Sequence, residues 1–139
     1  MPLRCVIVDD NASFRDEMRG LLEEEGIEVV GDAASVAQAV QRVALLRPDV
    51  VLVDIDLGGD SGFELARRMR ADAHRDAPPD VILISTHDER EYADLIAASP
   101  AVGFLAKTEL SAAAIRGLLG AVRGCEAGDV RRSDERPGR

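Results

Sequence analysis

The chain has 139 residues, which suits one domain, and its 46% hydrophobic and 31% charged residues give an ordinary globular balance. A net charge of −9 disfavours non-specific adhesion to nucleic acid or an anionic membrane, and no stretch is long and apolar enough to span a bilayer. Cys5 and Cys125 form neither a disulfide framework nor a zinc spacing, and Met1-Pro2-Leu3-Arg4 leads into an apolar run without signal-peptide features, so a reducing cytoplasm is the expected compartment.

The first apolar run, Cys5-Val6-Ile7-Val8, reads as a strand and ends abruptly in Asp9-Asp10. Phe14, Met18, Leu21 and Leu22 recur at helical spacing, with Gly26 as a plausible stop. Glu28-Val29-Val30-Gly31 is a weaker strand signal, followed by Ser35 as N-cap of a helix carrying Val36, Val40, Val43 and Ala44, with Pro48 beyond its end. Val50-Val51-Leu52-Val53 is a third strand ending in Asp54. Ser61 caps a helix with Phe63, Leu65, Ala66 and Met69, and polar Ala71 to Asp80, with Pro78-Pro79, reads as a loop. Val81-Ile82-Leu83-Ile84 runs into Ser85-Thr86; Leu95 and Ile96 mark a fourth helix. Gly103-Phe104-Leu105-Ala106 ends in Lys107, and Ile115, Leu118, Leu119 and Val122 make the last helix. From Glu126 onward almost nothing is apolar, so the expected division is a domain over 1–124 and a flexible tail over 125–139.

The first, third and fourth strands are continuous apolar runs, as strands buried on both faces are. Strands alternating with helices argue for α/β architecture with a parallel sheet covered on both sides. Five such units predict the flavodoxin-like doubly wound (βα)5 sandwich, with strand order 2-1-3-4-5. In such sheets ligands bind beyond the carboxyl ends of the strands, where Asp9, Asp10, Asp54, Ser85 and Lys107 all fall. Three neighbouring carboxylates suit a hard divalent cation such as Mg2+, which takes oxygen ligands. A carboxylate can also be a nucleophile toward phosphorus, with Mg2+, an ammonium and a hydroxyl to neutralise the charge that develops. Singly, each residue has a plainer reading: Asp9-Asp10 as a strand-end turn, Asp54 as a helix cap, Lys107 as a surface lysine, Ser85 as a local cap, Phe104 as core.

Taken in order, Val6-Ile7-Val8-Asp9-Asp10, Pro48-Asp49-Val50-Val51-Leu52-Val53-Asp54, Gly62-Phe63-Glu64-Leu65, Ile82-Leu83-Ile84-Ser85 and Gly103-Phe104-Leu105-Ala106-Lys107 resemble the receiver domains of two-component response regulators. The resemblance spans roughly residues 3 to 124. It implies that Asp54 accepts a phosphoryl group from a histidine kinase or phosphotransfer protein. Asp10 would ligate Mg2+ directly, Asp9 largely through water, and the Asp56 backbone carbonyl would be a further ligand. Lys107 would pair with the phosphoryl group, Ser85 would be the switch hydroxyl and Phe104 the aromatic switch. The surface made by the fourth helix, fifth strand and fifth helix would then change for a downstream protein partner, with homodimerisation on phosphorylation a possibility the family offers. Direct nucleic-acid or membrane binding by this chain is not expected. The resemblance also implies that Asp56 and His87 tune the lifetime of the phosphoryl group; His74 reads as a surface loop residue.

Three departures stand out. Gly58, followed by Gly59, replaces a common proline and predicts a more flexible loop; Thr108 replaces a common proline after Lys107; and Thr86 replaces a common alanine after Ser85. Ser85 is preferred to Thr86 as the switch hydroxyl because its spacing from Lys107 matches the family better. Asp54-Ile55-Asp56 also resembles the signature of haloacid-dehalogenase-type phosphatases, with Asp54 as nucleophile and Asp56 as acid/base, although there it usually follows the first core strand. A binding module that has lost phosphorylation is a third reading. With no helix-turn-helix pattern after 124, the expectation is a single-domain regulator or the front of a protein whose output domain is missing.

Overall fold

A computed structural model describes residues 2–71, 78–86 and 89–128, with the backbone path alone described at residue 89 and over 121–128. The polar loop expected before the fourth strand falls largely outside these residues, as do His74 and His87. Strands β1 (Arg4–Val8), β2 (Glu28–Ala33), β3 (Val50–Asp54), β4 (Asp80–Ser85) and β5 (Gly103–Ala106) pair in parallel in the order β2-β1-β3-β4-β5. This is the predicted doubly wound order. Helices α1 (Ala12–Glu24), α2 (Val36–Leu46), α3 (Gly62–Ala71), α4 (Ala93–Ala98) and α5 (Ala112–Gly128) alternate with the strands.

The continuous apolar runs follow from having two cores. In β1, β3 and β4 successive side chains point to opposite faces. Val6, Val8, Val51, Val53, Val81 and Leu83 join the core with α2 and α3, while Cys5, Ile7, Val50, Leu52, Ile82 and Ile84 join the core with α1 and α5. Cys5 is a buried small hydrophobe, its thiol pushed up to about 12 by desolvation.

The helix boundaries have local causes. Asn11 Oδ1 accepts the Phe14 N–H at the start of α1, and Gly26, at φ 93°, follows its end. Ser35 Oγ accepts the Gln38 N–H, as expected of the cap. Ser61 Oγ likewise accepts the Phe63 N–H at the start of α3. The buried stripe of α2 is Val36, Ala39 and Val43, with Val40 half-buried and Ala44 exposed. Val36 and Val43 are thus buried as expected, while Ala39 takes the core place expected of Ala44, which at 100° per residue lies further round the helix from the pair. Helix α4 buries no residue fully, and Leu95 is 55% exposed. Helix α5 continues to Gly128, past the expected boundary at 124. No helix among the described residues is long and apolar enough to cross a membrane.

Candidate functional site

The site lies where β1 and β3, side by side in the sheet, send their chains to opposite faces. Asp9 and Asp10 follow β1, and Asp54 ends β3. An oxygen from each of the three carboxylates lies within 4.8 Å of the others. Asp9 is fully buried and Asp54 is buried, whereas Asp10 is exposed. Lys107 reaches in from the end of β5. Its Nζ lies 2.6 Å from Asp9 Oδ2, as an ion pair off hydrogen-bond alignment, and donates to Asp54 Oδ2 at 3.0 Å.

The backbone holds the rest of the cluster. Asp9 Oδ1 accepts the Asn11 N–H at 2.8 Å, and Asp54 Oδ1 accepts the Asp56 N–H at 3.1 Å. The Arg15 guanidinium donates to the Asp9 carbonyl at 2.6 Å and lies 3.5 Å from Asp32. Burial raises the Asp54 pKa, helped by the Asp9 charge and opposed by the Asp56 N–H and Lys107. Burial pulls the Lys107 ammonium the other way, but Asp9 and Asp54 together outweigh it and hold its pKa above the usual lysine value. Three carboxylates against one ammonium leave an excess of negative charge, and their hard oxygen donors suit a divalent cation.

Ser85, the last residue of β4, is buried and stands opposite Ala106 in the register. Phe104 is half-buried and packs on the core of α2 and α3. The loop after Asp54 carries a regular turn. Asp56–Leu57 and Asp60–Ser61 pair as a small antiparallel ribbon, with Gly58 at φ 76° in its turn. Asp56 is exposed, and its side chain accepts the Gly58 N–H at 3.1 Å.

Sequence reasoning missed three supporting residues. Phe14 was read as a plain helix-face residue, but its ring centroid lies 4.3 Å from Lys107 Nζ. Arg15 had no visible signal in the sequence. Gly62 was quoted in a motif without a role; a Cβ there would stand 2.5 Å from the Asp54 carbonyl oxygen.

A doubly wound α/β domain with an acidic pocket and a half-buried lysine at its switch point is thus the class that fold and site define. The sequence profile of the response regulator receiver domain matches residues 5–117. The chain belongs to that family. It is 30% identical over 107 residues to the DNA-binding transcriptional activator EvgA of Escherichia coli K12, covering 77% of this chain and 51% of that protein. It is 34% identical over 88 residues to the sensory transduction protein LytT of Bacillus cereus, covering 63% of this chain and 35% of that protein. The chain thus matches about half or less of the length of these two relatives. Its fold aligns with the signal receiver domain of NarL from Mycobacterium tuberculosis at a TM-score of 0.67 and 32% identity, covering 91% and 98% of the two chains. Membership is in a receiver family, not in the phosphatases that Asp54-Ile55-Asp56 also resembles.

Proposed function

We propose that Asp54 accepts a phosphoryl group in a Mg2+-dependent reaction and that the protein is a signalling switch. The observation that carries this reading is the Lys107 ammonium set between Asp9 and Asp54 at the pocket rim. Attack by Asp54 Oδ2 on a phosphohistidine forms the O–P bond as the N–P bond breaks, and the leaving imidazole keeps the bond's electron pair. Oδ2 is the oxygen that already faces Lys107, so the new phosphoryl group forms beside a positive charge. Asp9, Asp10 and Asp54, with the Asp56 backbone carbonyl, would hold Mg2+. Bound there, it would supply positive charge to offset that of the phosphoryl oxygens.

Ser85 then supplies a hydroxyl donor to a phosphoryl oxygen, and Phe104 moves with it, altering the face made by α4, β5 and α5. Thin burial of α4 supports this, since a helix with no fully buried residue can shift at low cost. The donor is a histidine kinase or phosphotransfer protein, and the reader is a protein partner or a separate output domain. Incubation with Mg2+ and acetyl phosphate is expected to add one phosphoryl group, seen by mass spectrometry, in wild type and not in Asp54→Asn. Equal uptake by the variant overturns Asp54 as acceptor, and no uptake by wild type leaves a binding module in its place.

A further inference from the structure

An ammonium has three donor directions, and two of the Lys107 neighbours are carboxylates. The third is the face of Phe14 at 4.3 Å. Lys107 leaves only 13% of its side chain to water, so the ring replaces solvent on one side of the charge. The placement is specified from both ends. Asn11 Oδ1 fixes the Phe14 backbone at the start of α1, and the ring packs on the core shared by α1 and α5. The chain has only three phenylalanines, and this one stands half-buried at the pocket.

We infer that Phe14 is a positioning residue for Lys107, its ring holding the ammonium against Asp54 through the attraction between the charge and the π face. This rests on the phosphoacceptor reading. A flexible four-carbon stem would otherwise let the ammonium swing out to water. The ring's attraction is weakly directional, so it keeps the charge in the pocket while allowing it to follow the oxygens that arrive on Asp54. A plain packing role predicts sensitivity to the ring's volume alone; the positioning role predicts sensitivity to its electrostatics.

Phenylalanines carrying one, two and three ring fluorines at position 14 separate the two, because fluorine drains the π face and barely changes the shape. The rate of phosphoryl uptake from acetyl phosphate with Mg2+ is expected to fall stepwise along the series. Phe14→Leu should slow it by about threefold to tenfold, and Phe14→Tyr should keep the rate near wild type. A flat fluorine series overturns the inference. Metal-free urea unfolding of wild type, Phe14→Leu, Lys107→Met and the double variant gives a readout independent of uptake. Non-additive effects are expected, and additive ones overturn the contact. If wild type takes up no phosphoryl group, the proposed function fails, and the unfolding cycle decides the Phe14–Lys107 contact by itself.

Discussion

Asp54 is where burial and charge pull against each other. Desolvation raises its pKa and Lys107 opposes that rise, while the same contact keeps the Lys107 proton bound to a higher pH than usual. Among the described residues, the groups shown facing Lys107 are Asp9, Asp54 and the neutral Phe14 ring. A lysine whose folded pKa is raised contributes stability that is complete below its unfolded pKa and is lost as pH rises through the folded value. Metal-free wild type should therefore exceed Lys107→Met in urea midpoint at neutral pH, and the gap should close as pH passes through and above the lysine range. A gap that stays constant at alkaline pH would mean that the ammonium is not what holds the pair of carboxylates together.

Among the elements, the join between β3 and α3 is the tightest constraint on the site. The Gly62 N–H donates to the Ile55 carbonyl at 2.9 Å, and the chain passes so close to the Asp54 backbone that a methyl group has no room. The obstacle is backbone, which cannot turn aside as a side chain can. Gly62→Ala is expected to destabilise by about 1–3 kcal/mol, the range for overpacking, and to slow phosphoryl uptake because Asp54 itself must move. Gly20 is the control. It lies inside α1, where a methyl group would meet nothing within 4 Å, so Gly20→Ala should stabilise by about 0.5–1 kcal/mol. Urea midpoints of the two variants, shifted in opposite directions, check both.

For the whole molecule, the site is a concentration of like charge that the fold assembles and the unfolded chain does not. A divalent cation that binds only the folded state stabilises by about 2.7 kcal/mol at a hundredfold excess over its dissociation constant. Mg2+ is thus expected to raise the thermal midpoint of wild type and to do so far less for Asp10→Ala. Asp10 is the choice because it is exposed, so its loss costs little packing. An equal rise in both proteins would count against a site that uses Asp10.

How much of this was legible depends on distance along the chain. The five strands and the strand-end positions of Asp9, Asp10, Asp54, Ser85 and Lys107 could be read because apolar runs and turn chemistry are local signals, whereas the strand order was expected only from the doubly wound precedent and is fixed by the pairing of distant strands. The sheet turns those positions into a rim, since parallel strands all finish at one edge. Which α2 residues face the core was less legible, because a helix's rotation is set by its neighbours as well as by its own pattern. The pairing of Asp56–Leu57 with Asp60–Ser61 around Gly58 was not legible, because the two halves of the ribbon meet only after the chain has turned. By itself the sequence determined the fold and the chemical kinds of group at its rim, through periodicity and residue type. Only the tertiary structure decided that Phe14 meets the Lys107 ammonium, that Arg15 grips the Asp9 carbonyl and that Gly62 lies against Asp54. Such contacts depend on how α1, α3 and β5 pack across the sheet, and packing distances of a few ångströms leave no spacing in the sequence to be read.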